Sequence, residues 1–537
     1  MIKNRHHLWR FQEARSVTRT DRFILLVLIL GGLFTVLLFG DWWFRPEHIG
    51  NPVLYVVLTA SFWYGIARLL LNWTGYIRIK KPEYIRPQHG LSVAIFTTSS
   101  PGEPLSMFEK TLAACANIKY PHTTYLLDDT QDPAFRECAE RNGAVWLNLV
   151  GLPGAKAGKI NGALKLVKED FILVLDPDHI PFPDFFEHTL GYFNDEQVGF
   201  VQVSQAYYNQ YRSFTAAGAA EQTYNFYGPT QMSLYGYGCS VAIGANCTFR
   251  RAALDSIGGH GIGLAEDLVT AIRLHAAGWK SVYNPVVVSR GLVPEDFGSY
   301  CKQQLKWARG VFEVIFTELP RLYKTLSFWQ RLSYFTIGTY YLVGVTQFVF
   351  TLIPFIYFFT GLLPAKMNFA EFLVYGSPVV VYSVAVYLYM QRWVCDPDTE
   401  RGFHWRGMIL KYASWPVYLM GFALAVVNAK VPYIPTAKKA VIGYITPFIR
   451  PMVAQAIVFL LVVGGVLIYR RFYMPETLLR ASAEKTWGMI AFALMSFIMA
   501  IGGIYAALEA RNMTEEEPWA NIDISTHKAM NYEKDMV

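Results

Sequence analysis

Asp176-Pro177-Asp178-His179 places two carboxylates two residues apart, just past an apolar run that reads as a strand. Such a pair can share a hard cation, because Mg²⁺ and Mn²⁺ favour oxygen ligands and Mg²⁺ commonly joins one or two carboxylates to substrate phosphates. The cation then neutralises charge building on a diphosphate leaving group. A plain polar loop at a strand end is the competing reading. Asp128-Asp129 ends an earlier strand. A carboxylate there can accept from a base or a ribose, support the metal site, or simply cap the helix expected near Pro133–Asn142. Ala155-Lys156-Ala157-Gly158-Lys159-Ile160-Asn161 offers a glycine-bearing turn with two lysines before a helix, which suits phosphate. It is no Walker motif, and an ordinary solvated helix start reads the same way.

Two further constellations follow. Ala265-Glu266-Asp267-Leu268 comes after the glycine-rich run Gly258–Gly263 and opens an amphipathic helix. A carboxylate held there can act as general base on a hydroxyl, or merely complement the helix macrodipole. Gln303-Gln304-Leu305-Lys306-Trp307-Ala308-Arg309-Gly310 lies in a helix leading toward apolar segments. Trp307 can stack on a sugar face and Lys306 or Arg309 can meet phosphate. An interfacial helix with a Trp anchor reads the same. Tyr433-Ile434-Pro435-Thr436-Ala437-Lys438-Lys439, between two membrane elements, is by itself a basic loop.

Positioning these groups falls to alternating strands and helices. Leu91–Thr97, Thr124–Asp129, Ala144–Leu149 and Phe171–Asp176 read as strands, with helices expected at Leu105–Asn117, Pro133–Asn142 and Lys159–Lys168. That alternation predicts a mostly parallel sheet covered on both faces. Ligands of such sheets bind at the carboxyl ends of the strands, which is where both acidic pairs fall. The rest of the 537 residues is of another character. Hydrophobic residues make up 53% and charged residues 17% of the chain, against about 25% charged in soluble domains. Apolar runs at Phe23–Gly40, Pro52–Trp73, Tyr334–Leu363, Phe372–Tyr389, Pro451–Tyr469 and Trp487–Leu508 predict six spans. Ile409–Val427, holding Lys411 and Pro416, reads as an interfacial helix. Lys3, Arg5, Arg10, Arg15, Arg19 and Arg22 before the first span place the N-terminus, the large middle domain and the C-terminus in the cytosol. Arg470, Arg471, Arg480 and Lys485 fit that orientation poorly. Six cysteines without a CxxC pair read as reduced thiols. The net charge of +7 suits loops against anionic lipid as well as any acidic ligand, and nothing points to nucleic acid. The acidic tail from Glu515 reads as a solvated or disordered end.

The order of these motifs resembles the processive family-2 glycosyltransferases, bacterial cellulose synthases in particular, over about residues 90–450. Asp128/Asp129, Asp176-Pro177-Asp178, Glu266-Asp267 and Gln303-x-x-Lys306-Trp307 stand for that family's D, DxD, ED and QxxRW. Ala155–Gly158 and Thr436-Ala437-Lys438 match its AKAG and gating-loop stretches. The resemblance implies an α/β cytosolic GT-A domain inserted in an α-helical transmembrane domain of about six spans with interfacial helices. The boundaries expected are 1–90 for the N-terminal segment and two spans, 91–295 for the GT-A domain and 296–332 for interfacial helices. Channel helices then fill 333–510, with a gating loop at 431–440, and the tail fills 511–537. It implies UDP-glucose as donor, Mg²⁺ or Mn²⁺ at Asp176 and Asp178, and nucleotide contacts from Asp128, Lys156, Asp176, Thr436 and Lys438. Glu103 joins them. Asp267, beside Glu266, is the implied base, and Gln303, Lys306 and Trp307 the acceptor contacts.

Four departures mark the chain. Lys306 replaces an arginine and loses its bidentate fork, Ala265 replaces a threonine, Thr97–Glu103 replaces a TYNE-like stretch that would contact uridine, and Ala242–Phe249 replaces an FFCGS-like acceptor motif. No C-terminal PilZ domain is recognised, so control by cyclic di-GMP through this chain is not expected. The product expected is a β-1,4 (cellulose-like) or β-1,3 (curdlan-like) glucan, secreted from a bacterial inner membrane through the enzyme's own channel, with accessory secretion subunits as further partners. Rival readings are a synthase using UDP-N-acetylglucosamine, a non-processive enzyme acting on a lipid carrier, and a transporter or receptor with a soluble insert.

Overall fold

The computed structural model of the chain describes residues 8–429, 431, 437–441, 443–513 and 516–524. Its alternating apolar runs form a seven-stranded sheet from β1 (Val93–Thr98), β2 (Thr123–Asp128), β3 (Val145–Asn148), β4 (Phe171–Val174), β5 (Val198–Val203), β6 (Cys247–Arg250) and β7 (Lys280–Asn284), in the order β7-β5-β6-β4-β1-β2-β3. Every neighbouring pair is parallel except those of β6, which runs antiparallel to β4 and β5. β1 is buried at all its positions, which is why it reads as a continuous apolar run and not as an alternating one. One face of the sheet packs Phe96, Leu127, Val174 and Phe249. The other packs Ile95, Leu173, Val201 and Phe185.

Crossover helices join the strands: α1 (Leu105–Ala116), α2 (Pro133–Arg141) and α3 (Ala155–Leu164). α2 is capped by Asp132, whose side chain accepts from the Ala134 amide at 2.9 Å. That removes capping as the role of Asp128-Asp129. α3 starts at Ala155, four residues before the Lys159 start expected, so Lys156 and Lys159 sit within the helix and not in a turn ahead of it. The close approach of the preceding chain fixes this start: a Cβ on Gly158 would lie 2.1 Å from the Pro153 carbonyl oxygen.

Further along come α4 (Phe214–Asn225), α5 (Glu266–Ala276) and α6 (Phe297–Glu313), then α7 (Phe328–Gly338) running into α8 (Val343–Thr360). Six helices are long and apolar enough to cross a membrane: Arg19–Trp43, Pro52–Ile77, Phe328–Thr360, Phe369–Trp393, Pro447–Phe472 and Ser482–Asn512. Trp405–Ala413 and Trp415–Val426 meet at a 49° bend. Neither alone reaches the about 20 residues a span needs; they pass that test only taken together across the bend. Arg470 does not stand free in a loop but turns between two helices, donating to the Ser482 and Thr486 hydroxyls at 2.8 and 3.0 Å.

Two chain ends are tied to the catalytic domain. Gln12–Glu13 pairs antiparallel with Val286–Val287, just past β7. The tail corrects the expectation of a solvated end over 516–524. Trp519 and Ile522 are buried against Phe108 and Phe135 beside α1. Lys110 donates to the Ile522 carbonyl at 2.8 Å, and Glu517 accepts from Ser106 at 2.8 Å and from Lys439 at 2.5 Å. The apolar Trp519 and Ile522, hidden in an otherwise acidic stretch, supply the docking surface.

Candidate active site

β4 ends at Val174, and the chain then turns through Asp176, Asp178 and His179. One ligand atom from each of these three lies within 4.8 Å of the others, a set that fits a divalent cation. The loop is anchored from behind. Thr111 donates to the Pro177 carbonyl at 2.6 Å, Tyr208 to the Asp178 carbonyl at 3.3 Å, and the Leu292 amide to the Asp178 carboxylate at 3.3 Å. Two lysines reach the pair from opposite sides. Lys156, on the first turn of α3, contacts Asp176 and donates to the Gly244 carbonyl at 2.6 Å. Lys438 lies 3.3 Å from Asp178. Burial pushes both carboxyls up, but Lys156 beside Asp176 and Lys438 beside Asp178 outweigh it and hold both below the usual range. Both stay ionised, as metal ligation requires.

Across the cavity, α5 opens with Glu266-Asp267. Asp267 Oδ1 accepts from the Leu268 amide at 2.8 Å. Burial, reinforced by the neighbouring Glu266 charge, pushes the Asp267 carboxyl up to about 7. A carboxylate poised near neutrality is matched to proton transfer. The same turn is pressed against α6: a Cβ on Gly310 would lie 2.8 Å from the Ala265 amide nitrogen. α6 thus docks close enough to bring Gln303, Lys306 and Trp307 to the same cavity as Asp267. Burial lowers Lys306, opposed by Glu266 and Asp176. Glu103 completes this wall. It accepts from the Ser100 amide at 2.8 Å, and burial raises it to about 7 against the pull of Lys438.

Glu103, Lys156, Asp176, Asp178, Glu266, Asp267, Gln303, Lys306, Trp307 and Lys438 therefore all face one cavity of about 450 Å³. Asp128 stands outside that lining. It is 1% exposed, and its carboxylate is held by the Thr130 amide and the Trp146 indole, each at 3.0 Å, and by the Ser99 hydroxyl. Thr436 lies outside the described residues. Two groups named only as members of their motifs take places of their own. His179 joins the carboxylates, and its place in Asp-Pro-Asp-His was the available signal. Lys159 bridges the Ser99 carbonyl, the Ser100 hydroxyl at 3.0 Å and Asp129 at 3.1 Å. Nothing in its spacing separates that buried role from a solvated one.

Residues 89–310 match the model of the family described as glycosyltransferase like family 2, and residues 255–395 match that of cellulose synthase. The UDP-forming cellulose synthase catalytic subunit of Komagataeibacter sucrofermentans is 29% identical over 326 residues, covering 58% of this chain and 43% of its own. That of Xanthomonas axonopodis pv. citri is 26% identical over 360 residues, covering 63% and 49%. The chain spans about half the length of the curated relatives it matches. Among solved structures, the mannosyltransferase PcManGT from Pyrobaculum calidifontis, in complex with GDP-Man and Mn²⁺, aligns at a TM-score of 0.48 and 16% identity over 70% of this chain and 100% of that one. Residues 89–310 carry a family-2 glycosyltransferase domain of the GT-A type, flanked by six apolar helices of membrane-spanning length.

Proposed function

We propose that this chain is a membrane-embedded, processive, inverting β-glucan synthase that uses UDP-glucose, with its catalytic domain on the cytosolic side of a bacterial inner membrane. The observation that carries this reading is the single cavity shared by Asp176 and Asp178, Asp267, and the Gln303–Trp307 face of α6, continuing past them to Arg68 and Tyr340 at the membrane helices. The curated relatives' names support a UDP-forming reaction.

Lys156 and Lys438 hold the diphosphate, while Asp176, Asp178 and His179 would hold Mg²⁺ or Mn²⁺. When bound, that cation supplies charge neutralisation of the departing diphosphate. Trp307 offers a stacking face to the terminal sugar, with Gln303 and Lys306 beside it. Asp267 takes the proton from the acceptor hydroxyl, whose oxygen attacks the anomeric carbon. The bond from that carbon to the diphosphate oxygen breaks and UDP leaves, with inversion at the carbon. One base suffices, and no covalent enzyme intermediate is formed. The polymer then advances into a channel between the membrane helices.

Purified protein with radiolabelled UDP-glucose and Mg²⁺ tests this, with the product digested by β-1,4- and β-1,3-specific glucanases. A polymer sensitive to either enzyme supports the reading and assigns the linkage. Failure to transfer from UDP-glucose while transferring from another UDP-sugar overturns the donor. Failure with every UDP-sugar overturns the synthase.

A further inference from the structure

Lys438 lies outside every helix and strand, yet its ammonium sits 3.3 Å from Asp178. Holding a lysine of irregular chain in one place costs backbone and side-chain entropy. Its near neighbours supply the restraint. Lys439 pairs with Glu517 at 2.5 Å, and its ammonium lies 5.8 Å from the centre of the Trp519 ring. Two residues further on, the Val441 amide donates to the Asp296 carboxylate at 3.3 Å. Asp296 caps α6 as well, accepting from the Ser299 amide at 2.9 Å and its hydroxyl at 2.7 Å. Lys438 is thus flanked by one contact to the C-terminal tail and one to the helix that carries Trp307.

The tail is in turn fixed to the frame that holds the metal loop. On α1, Ser106 donates to Glu517 at 2.8 Å and accepts from the Trp519 indole at 3.0 Å. One turn on, Lys110 donates to the Ile522 carbonyl at 2.8 Å. The next residue, Thr111, donates to the Pro177 carbonyl between the two metal-loop carboxylates at 2.6 Å. A single helix therefore grips the Asp176–Asp178 loop on one side and the tail on the other. Arg212 adds a second hold, donating to the Glu516 carbonyl at 2.7 Å while pairing with Glu295 at 2.7 Å. Trp519 is 1% exposed, so it is a fixed point and not a loose end. A tail docked only to bury Trp519 and Ile522 has no need of Lys439. Here the contact runs to the residue beside the one that faces Asp178.

We propose that Glu517 and Trp519 are positioning residues for the donor diphosphate. They act through Lys439 and set where Lys438 stands over the metal loop. The inference rests on the transferase reading in taking Lys438 as a diphosphate contact. It adds the C-terminal tail to the machinery of that site. Preorganisation of this kind improves binding by removing an ordering cost, without any new contact to the ligand.

The test uses full-length protein, with KM and kcat for UDP-glucose and the affinity for UDP with Mn²⁺ by calorimetry. Trp519→Ala is expected to raise KM about tenfold, the size of a lost charge-assisted contact, with kcat within about twofold. In a Lys438→Ala background the same substitution is expected to add less than about twofold, since residues acting through one contact are not additive. Trp519→Ala also opens a buried site, so a surface variant stands beside it. Glu517→Lys turns the pair with Lys439 into a repulsion and is expected to raise KM about fivefold, the reach of a partly exposed pair. Combining it with Lys439→Glu restores the pair with its signs exchanged and should bring KM back to within about twofold of wild type. A merely structural tail would lower kcat or the amount of folded protein and leave KM alone. Additive effects of Trp519→Ala and Lys438→Ala, no rescue by the exchanged pair, or unchanged KM in both tail variants of an active enzyme overturns this proposal alone. Wild type that binds UDP with Mn²⁺ but transfers from no UDP-sugar defeats the synthase reading instead, and the same variants then report on the tail through UDP affinity.

Discussion

On the side of the cavity proposed to take the donor, each carboxylate is met by a cation at close range, Asp176 by Lys156 and Asp178 by Lys438. On the side proposed to take the acceptor the balance is reversed. Asp267 is buried beside a second acid, Glu266, and its carboxyl is raised to about 7. The two sides draw on the same residue type for opposite ends. Compensated carboxylates stay charged and can grip a metal, whereas a crowded, buried carboxylate holds its proton until the pH approaches neutrality. In the mechanism proposed, environment and not residue identity divides ligand from base.

The sharpest way to break this division is Asp267→Asn. Synthesis is expected to fall by about a thousandfold, within the range for losing a general base, while UDP affinity measured by calorimetry stays within about twofold. Normal polymer yield from this variant would remove the base assignment. Asp178→Asn attacks the other side. Mn²⁺ affinity, read by electron paramagnetic resonance, is expected to fall about tenfold to a hundredfold, as for loss of a ligand's support. Chelation of wild type should abolish transfer and re-addition of Mg²⁺ restore it. Lys438→Ala is milder, with KM for the sugar nucleotide rising about tenfold through loss of a charge-assisted contact and kcat changing less.

The pH profile sharpens the comparison without a mutation. In its proposed role as base Asp267 must be ionised, and burial beside Glu266 raises its carboxyl. The kcat/KM profile should therefore climb with pH through about 7 and be lost below it. Glu266→Gln removes the repelling charge, so that limb should move to lower pH; a limb that stays in place would assign it to another group. Smallest of all is Glu517→Gln, which removes one partly exposed ion pair to Lys439. Its effect on KM is expected to stay within about fivefold, the reach of a surface pair.

Much of this was legible in the residues. β1, β2 and β4 appear as short apolar runs because both faces of a parallel sheet are covered, and the acids at their ends mark the ligand side. Asp176, Asp178 and Asp267 were legible because each lies within four residues of an element boundary, whereas Trp307 lies inside α6 and was found through the motif around it. The start of α3 was misplaced by four residues. Periodicity does not register a backbone contact, and it is Pro153 against Gly158 that sets it. The enclosure of Asp128 by Trp146 was equally out of reach, since the pair comes from adjacent strands and lies 18 positions apart in sequence. Docking of 516–524 was hidden by composition, for a single Trp and two isoleucines decide it against a background of acids.

That docked tail strings the last apolar helix to the chain segment carrying Lys438 and Lys439, by way of Glu517 and Trp519. Detergents that fray the helix would slacken this strap. Activity lost on extraction would then come back on reconstitution into lipid, because the fault lies in a loosened tether and not in damaged chemistry.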